Sequence, residues 1–233
     1  MSADRPLRYF VGLTGGSGHA YAERLVLELL RAGCEVDLCI TEAGCKVLRH
    51  ELGVEAGVRG ERLQAALPGW LGEAGLPAGW EDRVRVFTSD AIEAPAASGT
   101  SLTGGVIIAP CSMGTLARVT AGFSSNLVER AADVALKEGR RLLLMPRETP
   151  LSEIHLENML RAVRLGGIVL PCMPGFYHLP KSIDDLVAHV VGKALDRLGV
   201  DQNVGARWDG LEEPSGDPGT TPPGSEGTSG AGQ

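Results

Sequence analysis

The sequence lacks the features of a secreted, disulfide-bonded or membrane protein. It has no Cys-x-x-Cys pair, and its five cysteines are an odd number. Because four of them lie in or beside apolar runs, we expect buried thiols in a reducing compartment rather than a disulfide or a metal site. The start, MSADRPLRYF, has no signal-peptide core, and no apolar run reaches about 18 residues. We expect a cytoplasmic protein with no membrane partner and no metal.

Positive charge is also scarce, since 22 Lys and Arg stand against 29 Asp and Glu, for a net charge of −7. Nucleic-acid binding requires a clustered Lys/Arg face, and no such cluster is visible. The sequence therefore predicts no nucleic-acid partner. A phosphate group can still bind locally, through backbone N–H groups and a few well-placed cations.

The 233 residues fit one domain with a large core, or one domain followed by a tail. From Asp209 onward the sequence reads DGLEEPSGDPGTTPPGSEGTSGAGQ, with almost no large apolar residue. Such a segment cannot offset the entropy that is lost on ordering. We expect one domain over residues 1–208 and a disordered C-terminal tail over residues 209–233.

Strand-like and helix-like segments alternate along the chain. Residues 8–14 form an apolar run that ends in a glycine turn, and leucines at helical spacing follow over residues 21–31. With a strand at 36–40 they make a βαβ unit, which crosses over right-handed. Residues 105–109, GVIIA, read as a strand that is buried on both faces. Further strands are expected at 83–87, 141–145 and 167–170, and helices at 126–138, 152–164 and 183–198.

This alternation predicts an α/β fold, namely a doubly wound, mostly parallel sheet of Rossmann-like or flavodoxin-like type in a single domain. Residues 52–83 show no clear pattern and are expected to form a loop region with some helical content. Ligands of doubly wound sheets bind beyond the carboxyl ends of the strands. The turns at those ends are therefore the candidate site.

Three of these turns offer polar groups to a ligand. Residues 14–18, Thr-Gly-Gly-Ser-Gly, would bring backbone N–H groups and a helix N-terminus to an anion, although a tight turn without a ligand explains them equally well. They do not complete a G-x-G-x-x-G pattern. The Thr41 hydroxyl suits a phosphate or ribityl contact. Residues 112–115 form a second cradle, beside which Cys111 has no local base and is a poor nucleophile candidate.

Charged and aromatic candidates follow later in the chain. Arg147 and Glu148 are restrained between two prolines, where a surface ion pair is an equally good explanation. Arg130 and Lys137 lie about two helical turns apart and share a face, as solvated pairs also do. Tyr177 follows the last strand and would offer an apolar wall with a hydroxyl, or would simply pack with its phenol at the surface.

Taken in order, these motifs resemble the flavin prenyltransferase family, the UbiX-type proteins. The resemblance runs over residues 8–208, nearly the whole predicted domain. The longest of its stretches is too distinctive to match by chance. The stretches that carry the resemblance are TGGSGHAYAERL, APCSMGTLARV, SSNLVERAADVALKEGRRLLLMPRETPLSEIHLENMLRA and LPCMPGFYHLPKSIDDLVAHVVGKALDRLG.

The resemblance implies a prenyltransferase that binds reduced FMN and a dimethylallyl phosphate. Such enzymes join the prenyl group to flavin N5 and C6 and close a fourth ring. The product serves a UbiD-type decarboxylase in ubiquinone biosynthesis or aromatic-acid metabolism. Members form homo-oligomers, typically dodecamers, with the flavin at a subunit junction. Whether the donor is the monophosphate or the diphosphate stays open.

The resemblance also assigns residues. The prenyl phosphate would be held by Tyr177 and Lys193. The flavin would be held by Gly15, Gly16, Ser17, Thr41, Ser112, Met113, Gly114, Thr115 and Arg147. The catalytic set would be Ser17, Glu51, Arg130, Lys137 and Glu148.

The chemistry agrees with this assignment. Breaking the C–O bond creates an allyl cation and a phosphate dianion, which the cationic side chains of that set can stabilise in a dry site. Glu148 would protonate the departing phosphate, and Ser17 with Glu51 would relay the proton lost from the flavin. Some members carry an aromatic residue where this chain has Ile92, so Phe123 is the alternative wall for the cation. Some relatives have Arg in place of Lys193.

Two other functions compete with this prediction. A flavoprotein that decarboxylates cysteine-containing substrates would carry Pro-Ala-Ser-Ala-Asn-Thr and Pro-x-Met-Asn motifs, but residues 95–100 read PAASGT and residues 173–177 read MPGFY. A non-catalytic flavin-binding partner of a decarboxylase would not need Arg130, Lys137 and Glu148. The prenyltransferase reading is therefore preferred.

Overall fold

A computed structural model describes residues 7–101 and 103–205 of the chain. The predicted tail and its boundary at residue 208 lie outside these residues. Short 3-10 turns occur at Glu73–Gly75, Glu81–Arg83 and Pro95–Ala97. The strands are β1 Arg8–Leu13, β2 Glu35–Ile40, β3 Val84–Phe87, β4 Gly105–Cys111, β5 Leu142–Pro146 and β6 Ile168–Val169. The helices are α1 His19–Arg31, α2 Glu42–Leu52, α3 Leu63–Leu71, α4 Met113–Thr120, α5 Leu127–Lys137, α6 Glu153–Arg164 and α7 Ile183–Leu198.

All six strands lie in one parallel sheet, in the order β3-β2-β1-β4-β5-β6. This order confirms the predicted doubly wound α/β fold. The chain builds outward from β1 on one side and from β4 on the other, so the winding reverses between these two central strands. Their carboxyl-terminal turns open onto the crevice where such sheets bind ligands.

Each face of the sheet has its own apolar core. Val11 and Ile107 point into the layer beneath α1 and α7, whereas Phe10 and Ile108 point into the layer beneath α4 and α5. This division follows from the two-residue alternation of side chains along a strand. Every residue of β4 is buried, as the run GVIIA predicted. Among the described residues, no helix has both the length and the apolar character needed to cross a bilayer.

A buried carboxylate ties three strands together. Asp37 on β2 is 1% exposed and accepts hydrogen bonds from Arg8 on β1 at 2.7 Å and from Arg85 on β3 at 2.7 and 2.8 Å. A charge at this depth is tolerated only because its partners are charged and close. The sequence analysis did not predict this cluster.

Most predicted elements are confirmed, with small shifts at their ends. Helix α7 covers the predicted range, and Ser152 caps α6 by accepting from the backbone N–H of His155. The poorly patterned segment contains a complete helix, α3, which buries Leu63 and Leu67. Pro68 lies inside that helix and masks its sequence pattern, because proline is rare in helix interiors.

Gly12 provides the first testable prediction. A Cβ at this position on β1 would lie 2.6 Å from Cγ1 of Val128 on α5. Gly12→Ala must therefore force the helix away from the sheet, and we expect it to lower the free energy of unfolding by about 1–3 kcal/mol.

The matched control is Gly69→Ala in α3, where nothing lies within 4 Å of an added Cβ. This variant should gain about 0.4–1 kcal/mol, since alanine restricts the unfolded chain. Urea denaturation of both variants measures the two changes. A neutral or stabilising effect of Gly12→Ala would contradict the close approach of α5 to β1.

Candidate active site

The turn after β1 is packed tightly between its neighbours. An added Cβ would lie 2.8 Å from Cβ of Ala43 if placed on Gly15, and 3.3 Å from the backbone nitrogen of Ser112 if placed on Gly16. Gly18 has a φ of 107°, a conformation that glycine adopts without strain and that lets the chain turn into α1. The glycines thus bring this turn against the start of α2 and the turn after β4.

Thr14 fastens the two central turns to each other. Its hydroxyl donates to the Pro110 carbonyl at 2.7 Å and accepts from the Ser112 backbone N–H at 2.8 Å. Its own carbonyl lies 3.1 Å from Nε2 of His19, which is fully buried. Burial lowers the pKa of His19 and outweighs the opposing influence of Glu51 and of that carbonyl, so a neutral ring donates its Nε2 proton to Thr14.

Ser17 and Glu51 lie together, as the family resemblance implied. The Glu51 carboxylate, at the end of α2, accepts from the backbone N–H groups of Gly18 at 3.0 Å and His19 at 2.9 Å, and it also bonds the Ser17 side chain. Burial alone would raise the pKa of Glu51. The hydrogen bonds from Ser17, His19 and Gly18 outweigh burial and hold the pKa below its ordinary value. Glu51 is therefore a carboxylate at neutral pH.

Arg147 reaches the same turn from the end of β5. Its Nε donates to the Ser17 carbonyl at 3.3 Å, which connects the ends of β5 and β1. The adjacent Glu148 is partly exposed, and its carboxylate accepts from the backbone N–H of Thr149 at 3.0 Å. The turn after β5 therefore brings a cation, Arg147, onto the Ser17 turn, whereas the Glu148 carboxylate bonds its own loop.

A cavity of about 390 Å³ opens beside these turns. Four residues of the predicted flavin set line it, namely Gly15, Thr41, Ser112 and Thr115. Of the others, Gly16, Ser17 and Arg147 belong to the adjoining turns described above. Met113 packs into the core at 7% exposure, and Gly114 is exposed on α4.

Two of the helices that begin at this cavity, α2 and α4, are capped by residues of the predicted flavin set. The Thr41 hydroxyl caps α2 by accepting from the Gly44 N–H at 3.1 Å, and the Ser112 hydroxyl caps α4 by accepting from the Thr115 N–H at 3.2 Å. Because the N-terminus of a helix carries partial positive charge, both helices favour an anion here. Arg59 and Arg118 also line the cavity.

Two predicted cations lie apart from this turn within the single chain. α5 starts at its cap Asn126 beside the cavity and ends at Lys137, about 15 Å further along at ~1.5 Å per residue. Arg130 pairs with Asp133 at 3.2 Å and Lys137 with Glu138 at 2.9 Å. In the described part of the chain, neither cation has a hydrogen bond or ion pair with the turn around Ser17.

The last two predicted residues meet around α7. Tyr177 lies in the loop after β6, about half exposed, with its hydroxyl 3.4 Å from Nε2 of His189 on α7. Lys193 follows His189 by one helical turn. The loop is tied to the end of β5 where the Cys172 N–H donates to the Pro146 carbonyl at 2.9 Å.

The remaining expectations concern thiols, metals and the cation wall. All five cysteines are free and buried, and burial raises the pKa of Cys111 to about 12, which makes it a poor nucleophile. No group of three or more His, Cys, Asp or Glu suited to a metal occurs within residues 7–101 and 103–205. Ile92 and Phe123 are 63% and 56% exposed, so neither forms a buried wall within one chain.

Comparison with known proteins places this geometry in a family. A model of the Flavoprotein family matches residues 2–195. The flavin prenyltransferase UbiX of Halalkalibacterium halodurans is 48% identical over 200 residues, which cover 86% of this chain and 92% of that protein. The flavin prenyltransferase UbiX of Pseudomonas aeruginosa is 45% identical over 87% of this chain and 94% of its own length. The chain belongs to the UbiX flavin prenyltransferase family. It is therefore a transferase enzyme.

Solved structures of the family share the fold. AnUbiX (PadA1), crystallised in complex with FMN and dimethylallyl pyrophosphate, aligns with a TM-score of 0.77 at 35% identity over 89% of this chain and all of that one. A dodecameric FMN-dependent UbiX-like decarboxylase from Escherichia coli O157:H7 aligns at 0.73 and 37% identity, over 88% of this chain and all of its own. The FMN-dependent cysteine decarboxylase TvaF aligns at 0.54 with 14% identity, which shows a shared fold alone.

His19 is a site residue that the sequence did not predict. Thr14 opens the predicted turn over residues 14–18, but the bridge that its side chain makes to the turn after β4 was not predicted. Both residues act through contacts with distant or buried backbone groups. The signal for His19 is its position directly after the glycine turn. That position does not identify a partner, because a single histidine in an apolar helix gives no indication of the group that it contacts.

Glu51 provides the second testable prediction. Glu51→Gln replaces a charged acceptor at the α1 N-terminus, and we expect it to lower the free energy of unfolding at pH 7 by about 1 kcal/mol. Because the pKa of Glu51 is depressed in the fold, its stabilisation is complete above the unfolded value of about 4.3 and is lost as pH falls through the folded value. The difference between the two proteins should therefore shrink on acidification.

Urea denaturation of both proteins from pH 8 down to about pH 2.5, a range that extends well below the unfolded pKa of a glutamate, measures this difference. The matched control is Glu73→Gln, which removes an exposed carboxylate far from the α1 N-terminus in sequence and should show no comparable loss. An equal loss in both variants, or a difference that grows on acidification, would contradict the role of Glu51.

Proposed function

We propose that this prenyltransferase joins a dimethylallyl group from dimethylallyl phosphate to N5 and C6 of reduced FMN. The observation that carries the proposal is the convergence of three strand ends on one cavity, with Gly15 after β1, Thr41 after β2 and Ser112 after β4. Arg147, from the end of β5, joins the turn that contains Gly15 by its hydrogen bond to the Ser17 carbonyl. The product would serve a UbiD-type decarboxylase, in ubiquinone biosynthesis or in aromatic-acid metabolism.

The cavity suits FMN in volume, and the helix N-termini at its edge suit the flavin phosphate. Its volume of about 390 Å³ lies within the range of ligand pockets, and two helix N-termini favour the flavin phosphate. Residues Gly15, Gly16 and Ser17, Thr41, Ser112 to Thr115, and Arg147 would hold the molecule. When bound, reduced FMN supplies the nucleophilic N5 and C6 positions.

Glu51 and Ser17 are placed to move a proton. The Ser17 side chain bonds a carboxylate that is ionised at neutral pH, so Ser17 can hand a proton to Glu51 without a change of partner. The hydrogen bond from Arg147 to the Ser17 carbonyl holds the backbone of Ser17 in place. A proton leaving the acceptor would therefore have a path away from the reacting atoms.

The departing phosphate needs cations and an acid. Tyr177 and Lys193 would bind the donor phosphate, with Arg130 and Lys137 around it, and Glu148 would protonate it as the C–O bond breaks. Guanidinium groups fork onto phosphate oxygens, whereas an ammonium acts as a point charge. Arg130 and Lys137 lie on α5, away from the Ser17 turn of their own chain, so a neighbouring subunit would have to supply them.

An apolar face on α6 is suited to such a neighbour. The helix has a single buried residue, Ala162, and exposes a row of large apolar side chains. Contiguous apolar surface of this kind marks an interface. We propose that copies of this chain cover it, as homo-oligomers up to a dodecamer. The face consists of Leu156, Leu160 and Val163, which are between 50% and 55% accessible and recur at helical spacing on one side of α6.

The third testable prediction concerns the reaction. Purified protein is incubated anaerobically with reduced FMN and with either the monophosphate or the diphosphate donor, and the extracted flavin is weighed by mass spectrometry. We expect the mass to rise by one dimethylallyl unit with at least one donor. Unmodified flavin with both donors would contradict the proposal.

Glu148→Gln tests the acid in the same assay. The amide cannot protonate the departing phosphate, and general-acid catalysis contributes roughly 100- to 10,000-fold, so we expect a rate loss of at least 100-fold. FMN binding, followed by flavin fluorescence, should be retained. Formation of prenylated flavin at the unaltered rate would remove Glu148 from its role.

The fourth testable prediction concerns the α6 face. Leu160→Glu places a charge in the proposed interface, which should dissociate the oligomer and abolish flavin prenylation while the chain stays folded. The matched control is Val58→Glu, at an apolar residue that is 65% exposed in the segment between α2 and α3. Light scattering after gel filtration gives the masses. An intact Leu160→Glu oligomer would contradict this interface.

A further inference from the structure

The loop after β6 closes over a cluster of three rings. His178 and His189 stack face to face, with centroids 4.6 Å apart and planes 9° from parallel. The Tyr177 ring meets both edge-on, at 5.7 Å from His178 and 5.3 Å from His189. His189 belongs to α7, whereas the other two belong to the loop. The contacts among these rings therefore fix the loop to the helix.

Close backbone approach makes this arrangement possible. An added Cβ on Gly175 would lie 2.7 Å from Cε1 of Tyr177 and 3.3 Å from Nε2 of His189. The loop can fold down onto α7 only because this position has no side chain. His189 is 8% exposed beneath it, and the Tyr177 hydroxyl lies 3.4 Å from its Nε2.

We infer that His189 is a positioning residue that holds the Tyr177 hydroxyl toward the donor phosphate. The inference rests on the proposed function, in which Tyr177 binds that phosphate. His189 would act through Tyr177 alone, and it is not itself a phosphate ligand. A ring that is pinned by a buried hydrogen-bonding partner binds its ligand with less loss of side-chain freedom.

The two stacked rings differ in one respect that makes the inference testable. His189 has the Tyr177 hydroxyl as a partner, whereas both ring nitrogens of His178 are buried without a hydrogen bond to any described residue. His178 thus contributes ring surface, and His189 contributes ring surface plus a polar contact. Phenylalanine keeps an aromatic ring at either position. At His189 it removes the polar contact with Tyr177, whereas at His178 it removes no hydrogen bond to a described residue.

The charge state of the cluster gives it a pH dependence. Burial, His178 and Lys193 all lower the pKa of His189. The groups that face the stack are Tyr177 and Lys193, with Asp185 interacting with His178. Because the folded state binds a proton at His189 less readily than a relaxed loop does, the packing of the loop on His189 is favoured above about pH 6.5 and weakens as pH falls below that value. Protonation of His189 would therefore loosen the loop from α7.

The fifth testable prediction uses the full-length enzyme with reduced FMN and the donor phosphate that supports turnover. At pH 8, His189→Phe should raise the KM for the donor about fivefold, because it removes one hydrogen bond from Tyr177. The change in kcat should be smaller. His178→Phe should change that KM by much less. The affinity for FMN, measured by fluorescence, should stay the same in both variants.

The pH profile and a double variant separate positioning from a general loss of structure. In the unaltered enzyme the donor KM should rise below about pH 6.5, and His189→Phe should flatten that rise. In a Tyr177→Phe background, His189→Phe should raise the donor KM little further, since the contact between the Tyr177 hydroxyl and His189 is already absent. His189→Gln, which keeps a polar atom on the side chain, should recover part of the loss.

The possible outcomes are distinct. An unchanged donor KM and pH profile for His189→Phe, alongside an impaired Tyr177→Phe, would overturn the positioning role while leaving the prenyltransferase reaction intact. Additive losses in the double variant would overturn it as well. Absence of prenylated flavin from the unaltered enzyme would instead overturn the proposed function. If His189→Phe fails to fold, His189→Gln with its pH profile carries the same test.

Discussion

Thr14 joins β1 to β4 at the point where the sheet reverses its winding, through one hydrogen bond that its hydroxyl donates and one that it accepts. Both bonds are largely shielded from water, so losing either would leave a polar group unsatisfied at a cost of about 1–3 kcal/mol. The packing of Gly16 against Ser112 and the shared cavity of α2 and α4 both require these two strand ends to stay together. The candidate cavity therefore depends on the junction of the two central strands.

The sequence was sufficient for features whose signal is local. The run GVIIA, the helical spacing in α7 and the Ser152 cap each predict structure within a few residues. The contacts of Thr14 and Asp37 were missed because their partners lie far away in the sequence, at 96 residues for Pro110 and 48 for Arg85. Side chains that bridge strands leave no periodic trace. Helix α3 was expected only as some helical content within residues 52–83, because Pro68 interrupts its pattern.

The candidate site divides in the same way. The glycine turn and its neighbours follow from the topology, since parallel strands bring their carboxyl ends to one edge. The pairing of Ser17 with Glu51 was predicted from family resemblance. A spacing of 34 residues does not by itself predict a contact, because the two residues meet only after β2 and α2 have folded beside β1. Arg130 and Lys137 could not be placed from sequence, and one chain does not bring them to the Ser17 turn.

The burial of the five thiols has a practical consequence. Cys39 and Cys111 are fully enclosed, and burial shifts the pKa of each upward, so neither the thiolate nor an access path for a reagent exists in the folded chain. A maleimide or disulfide reagent would reach these sulfurs only when the sheet opens. The rate at which Cys39 and Cys111 are alkylated therefore reports how often the sheet opens, and it can be measured without an engineered label.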